Sequence, residues 1–210
     1  MPAKPAVHAV YGGHGIQDIR LVNVWLDFHE LATALNLAHQ TQRKLLPDIF
    51  QEALISIQYR LQHLAYDARE RHEVLRLALL ALSTTIFHDT NGVKFILHYR
   101  PLAERFKTAL LSLVQHSNEE LPAFILWLAY VGRISVLNPP AHYHWLKDCV
   151  IKQTLALNLR SWAETRHVLK TFIWIDMVND QAGERVFDVE HTSSNTRTMN
   201  WSTSRPSTRS

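Results

Sequence analysis

The chain holds thirteen histidines, and their spacing decides whether they can do chemistry. His142-Tyr143-His144 is the tightest group. On a helix, residues two apart point to nearly opposite sides, so this pair could hold zinc or iron only from extended chain. The preceding Asn138-Pro139-Pro140 would allow such a conformation, but no Asp- or Glu-rich segment stands nearby to complete a ligand set. His29-Glu30 and His72-Glu73 begin like a zinc-protease helix, which needs a second histidine four residues after the first. Thr33 and Arg76 occupy those positions, so both candidates fail. The histidines read as scattered surface and core residues.

Other reactive groups are equally isolated. Gly12-Gly13-His14-Gly15 has the look of a phosphate cradle, but a dinucleotide fingerprint would need glycine where Asp18 stands, and a preceding strand. Leader flexibility is the simpler reading. Cys149 lies between Asp148 and Val150, and both an acid and apolar surroundings raise a thiol's pKa, so it reads as core rather than nucleophile. No Gly-x-Ser-x-Gly elbow is present. Asp176 falls on or beside an apolar helix face and reads as a buried, hydrogen-bonded carboxylate. No catalytic, cofactor-binding or metal-ligating residue is assigned, and no cofactor is expected.

Composition sets the frame. Apolar residues at 47% against 20% charged suit a globular core. The single cysteine rules out an internal disulfide and fits a reducing compartment. Of the net charge of +3, all comes from Arg197, Arg205 and Arg209 in a terminal stretch without acids. The rest is balanced, so composition offers no basic patch for phosphate neutralisation. The densest apolar run, Phe124 to Val131, is far shorter than the roughly 20 residues of a membrane span, which predicts a soluble chain.

Periodicity predicts an all-α fold, a single bundle of about seven helices over residues 21–188, with a flexible leader at 1–20 and a disordered Ser/Thr/Arg tail at 189–210. The first helix carries Val24, Phe28, Leu31 and Leu35. Pro47-Asp48 opens the second, with Ile49, Ala53, Ile57, Leu61 and Leu64 as its inner stripe. Asp67-Ala68-Arg69-Glu70 has the spacing of a capping box and introduces a helix apolar on nearly every side from Val74 to Leu82, stopped by Asp89-Thr90-Asn91-Gly92. Pro101 starts the next, with Leu102, Phe106, Ala109, Leu110 and Leu113 inward. Ser117–Glu120 is a second capping-box candidate, before a helix that Gly132 interrupts or ends. His142 to Leu157 follows. Ser161 and Glu164 form the cleanest capping box, and the last helix carries Val168, Leu169, Phe172, Trp174 and Ile175, with Gly183 past its end. Trp25, Trp127, Trp145, Trp162 and Trp174 all fall at core positions, as packing or as walls of a pocket.

The order Trp25-Leu26-Asp27, RLALLALSTTIF (Arg76–Phe87), LPAFILWLAYVGRISV (Leu121–Val136) and SWAETRHVLKTFIWIDMVND (Ser161–Asp180) resembles the C-terminal helical regulatory region of fungal zinc-cluster transcription factors, the fungal-specific transcription factor domain. The likeness covers about residues 21–188 and is carried by core residues and tryptophan spacing. It implies an all-helical domain that follows a DNA-binding zinc cluster and tunes its activity, in some members in response to small molecules. That cluster takes six cysteines and these 210 residues hold one, so no direct zinc-cluster DNA binding and no functional residues carry over. What carries over is a fold and a regulatory context: transcription regulation in the nucleus or cytoplasm, a protein partner such as a transcription factor, and a link to secondary metabolism.

Three functions therefore compete. The first is a non-enzymatic regulatory or protein-interaction module. The second is a small-molecule-sensing helical domain, its apolar pocket expected between the Val74–Phe87 and Phe124–Val131 helices. The third, an enzyme using histidines with Asp176 or Glu164, ranks last because no constellation supports it.

Overall fold

Eight helices and no strand make up the described residues of the computed structural model, which are 17–43, 46–90, 100–116, 121–137 and 143–199, with the backbone alone at 87–90, 143 and 190–199. In chain order they are α1 (Ile19–Gln40), α2 (Pro47–His63), α3 (Arg71–Thr90), α4 (Arg100–His116), α5 (Pro122–Ile134), α6 (Tyr143–Ala156), α7 (Trp162–Leu169) and α8 (Asp176–Met199). The all-α expectation holds. No helix among the described residues is long and apolar enough to cross a membrane.

The architecture follows from α5. Pro122 sits at its first position, where a missing amide costs nothing. Every residue from Phe124 to Gly132 is buried. A helix apolar on all sides has to be surrounded, and α3, α4, α6, α7 and α8 all pack on it. The second buried rod is α3, whose residues 74–79 and 81–83 are all buried. On α4 each residue of the expected stripe is buried. The two helices α1 and α2 close the bundle beside α3.

Four local expectations change. The inner stripe of α2 is Phe50, Leu54, Ile57 and Leu61, and Ile49 is 63% exposed. A 3.6-residue period running back from Leu61 falls closest to 57, 54 and 50, and it leaves Ile49 about 120° from Leu61. Asp67 does not cap α3. Its carboxylate accepts from Arg69 N at 2.9 Å in a turn, and the helix begins at Arg71. Gly132 lies inside the last turn of α5, which runs on to Ile134.

The largest difference is the last expected helix, which is two. α7 ends at Leu169, and α8 starts at Asp176 and continues to Met199, so the count is eight and α8 enters the stretch read as a tail. Gly183 is therefore interior to α8. A Cβ there would stand 2.6 Å from Trp162 Cη2 and 3.0 Å from Trp174 Cζ2. In an open helix Gly→Ala gains about 1 kcal/mol. Here Gly183→Ala is expected to destabilise by about 1–3 kcal/mol through overpacking, read as a fall in Tm.

The glycine cluster at 12–15, the capping-box candidate at 117–120, the Asn138-Pro139-Pro140 break and His142 lie outside the described residues, as do 200–210.

Candidate functional site

Residues 170–175 leave the helical path because their backbone groups find partners elsewhere in the fold. Thr171, Ile173 and Ile175 are β-branched and weaken helix continuation. Phe172, Ile173, Trp174 and Ile175 are four successive buried residues, so their backbone polar groups need partners within the fold. Several have them. Trp127 Nε1 donates to Ile173 O at 2.9 Å, and Asn36 Nδ2 donates to Trp174 O at 2.8 Å. Ile175 N donates to Asn179 Oδ1 at 2.9 Å, and Asp176 N donates to Asn36 Oδ1 at 2.8 Å.

Asn36 thus clamps the turn onto α1 with both ends of its amide. Asn36→Ala leaves a buried carbonyl and an amide without partners, and is expected to cost about 1–3 kcal/mol. Urea unfolding checks it, and an unchanged midpoint would refute the clamp.

Aromatic rings carry the turn into the core. Trp127 stacks on Phe172 at 5.4 Å and 24°, lies 6.0 Å from Phe124, and receives the edge of Trp25 at 5.6 Å and 76°. Tyr130, Trp162 and Trp174 form a second group with centroids 6.3–6.4 Å apart.

A charged cluster frames the turn's other side. Arg166 binds Asp180 through two nitrogens, at 2.9 and 2.8 Å. Asp176 Oδ2 receives Lys170 Nζ at 2.8 Å and Arg166 at 3.1 Å. Its Oδ1 is buried with no hydrogen-bond partner among the described residues. Trp174 Nε1 donates to Asp180 Oδ1 at 2.8 Å.

Between α1 and this turn runs a groove of about 410 Å³, lined on α1 by His29, Ala32, Thr33, Asn36, Leu37 and Gln40, and opposite by Lys170, Phe172, Ile173 and Trp174. The α1 residues repeat at three and four, so they form one helix face. Burial pushes the His29 imidazole down, against a smaller upward pull from Glu30, so it is neutral at pH 7. The expected pocket between the third and fifth helices is not where this groove lies. Val74, Leu75, residues 77–79 and residues 124–131 of those helices belong instead to the buried core, with Trp25 and Phe106.

The sequence candidates stay apart. No group of three or more His, Cys, Asp or Glu capable of holding a metal occurs among the described residues. His144 is exposed near the start of α6. Burial pushes the Cys149 thiol up to about 11, against a smaller downward pull from Lys152, so it is a core residue. Glu164 is a helix cap. It accepts from Arg160 N at 2.6 Å and Ser161 N at 3.2 Å, and Ser161 Oγ accepts from Glu164 N at 3.2 Å. Those backbone donors, Arg160's above all, hold its carboxyl below the ordinary range. Asp176 is a paired carboxylate but half-buried rather than buried, and it opens a helix rather than sitting within one. The sequence reading missed Asn36, Lys170 and Phe172 as groove residues. Phe172 stands among the inward residues of the last expected helix, whereas the spacing marks neither Asn36 nor Lys170.

Compared with family models, curated proteins and solved structures, the chain finds no match.

Proposed function

We propose that this chain is a non-enzymatic regulatory and protein-interaction module of the kind the fungal zinc-cluster regulatory domains exemplify, acting through a transcription-factor partner in the nucleus or cytoplasm. One observation supports it most. Trp25 on α1, Trp127 on α5 and the Ile173 carbonyl are joined through a ring contact and a hydrogen bond. Three of the four segments that carry the resemblance thus meet at one point, and the fourth, Arg76–Phe87, lies in α3, packed on α5. A regulatory role near secondary-metabolite genes is the finer part of the proposal. Tethering tests it. The chain is fused to a heterologous DNA-binding domain in a fungal host, and reporter transcription and co-purifying proteins are measured. A change in reporter output with recovery of a zinc-cluster factor is expected; an unchanged reporter and no partner would overturn the reading.

A second reading, small-molecule sensing, is favoured by the groove on α1. Its volume falls in the range of small-ligand sites, about 300–1,000 Å³. A ligand that binds only the folded state raises Tm by mass action, and a flat melting response across a metabolite library would remove it.

A further inference from the structure

We infer that the groove between α1 and the 170–175 turn takes a small organic anion, a carboxylate on an apolar body of one or two rings or a short alkyl chain, with Lys170 Nζ as its anchor. The inference rests on the sensing reading and names its ligand class. The groove has a defined length: His29 and Gln40 are eleven residues apart, about 16 Å along the helix axis. Its walls are apolar where Ala32, Leu37, Phe172, Ile173 and Trp174 line it, and Leu37 is 59% exposed at the rim.

Charge selects the ligand. Among the described residues that line it, Lys170 is the one with a charge and none is a carboxylate. An ammonium has three donors, and among the described residues that of Lys170 makes a single hydrogen bond, to Asp176, with its side chain 31% exposed. Asp176 does not depend on that bond alone, because Arg166 reaches the same oxygen. Lys170 can therefore share its remaining donors with an incoming carboxylate while Asp176 stays paired. The other polar groups suit a neutral contact. Asn36 is committed to the turn, and His29, uncharged at pH 7, repels no neutral or anionic body. A cationic ligand would meet Lys170 head on.

Binding of naphthalene-2-carboxylate, indole-3-acetate and octanoate, each beside its uncharged amide, tests this by calorimetry and thermal shift. A charge-assisted hydrogen bond in a half-open site predicts roughly tenfold tighter binding of the acid than of its amide. Lys170→Met should abolish that preference, and Leu37→Asp, at an exposed rim position, should weaken the acid more than the amide. Should Lys170→Met fail to fold, the acid–amide comparison on the unaltered chain and the Leu37→Asp variant still decide. Amides binding as tightly as acids would overturn the ligand class and leave sensing standing. No binding of either series would overturn both. Neither result touches the tethering assay.

Discussion

Trp127→Ala is expected to lower the unfolding free energy by about 3–5 kcal/mol, a large part of the roughly 5–15 kcal/mol that domains possess. Trp127 is completely buried, and its ring contacts Trp25, Phe124 and Phe172 from three different segments. Truncation leaves a cavity walled by rigid rings that cannot collapse into it. It also strips the Ile173 carbonyl of its donor. Trp127→Phe separates these effects. It keeps much of the stacking and loses the indole N–H, so it is expected to cost about 1–3 kcal/mol. Urea titration of both variants provides the check. Equal losses would show that packing contributes little, and a near-native midpoint for Trp127→Ala would contradict the central place given to α5.

Arg76→Met is the other severe case. Glu73 and Arg76 face each other on α3 with side chains only 2% and 5% exposed, joined by hydrogen bonds of 2.7 and 2.8 Å. Arg76 also donates to the Leu61 carbonyl at 3.0 Å and so ties α3 to α2. Arg105, from α4, reaches Glu73 at 2.7 Å but is itself 61% exposed. Removing Arg76 leaves a buried carboxylate with one largely exposed partner, which is expected to cost about 3–5 kcal/mol. Replacing both residues by methionine should recover most of that loss, because a well-packed apolar pair avoids the desolvation penalty. If the double variant is as unstable as the single one, the penalty does not come from the stranded charge.

The same cluster predicts that the cost of losing Arg76 depends on pH. Burial pushes the Glu73 carboxyl up, but the bonds and charges of Arg76 and Arg105 more than offset it and hold it below its ordinary 4.5. In the native protein Glu73 therefore contributes stability that is present above pH 4.5 and lost as pH falls through the lowered value. Without Arg76 two of those contributions go, and Arg105 alone opposes burial, so the carboxyl sits higher than in the native protein. The variant's deficit is therefore largest near neutrality and narrows toward the acid end. Unfolding curves across that interval measure it; a deficit independent of pH would rule out Glu73 as its source.

Local pattern alone was enough for most of the scaffold. The inward residues of α4, the all-round apolarity of α5 and the Ser161 cap are properties of neighbours three or four positions apart, and each stands as the spacing implies. Cys149 as core and Asp176 as a paired carboxylate were legible too, since apolar neighbours and nearby charge follow from the residues around them, although Asp176 is only half-buried. The Glu73–Arg76 pair was visible as a three-residue spacing. Its burial was not, because that depends on Leu61 and Arg105 from other helices.

The break at 170–175 was beyond reach of any such reading. Its apolar residues continue a helical rhythm, and what ends the helix is a set of donors and acceptors from Asn36 and Trp127, over forty positions or more of chain. The groove exists because of that break. The helices and most of their inward faces are thus set by short-range spacing, which a linear chain displays in full. The turn, its clamp and the cavity beside it depend on which distant backbone groups meet, and only the assembled bundle decides that.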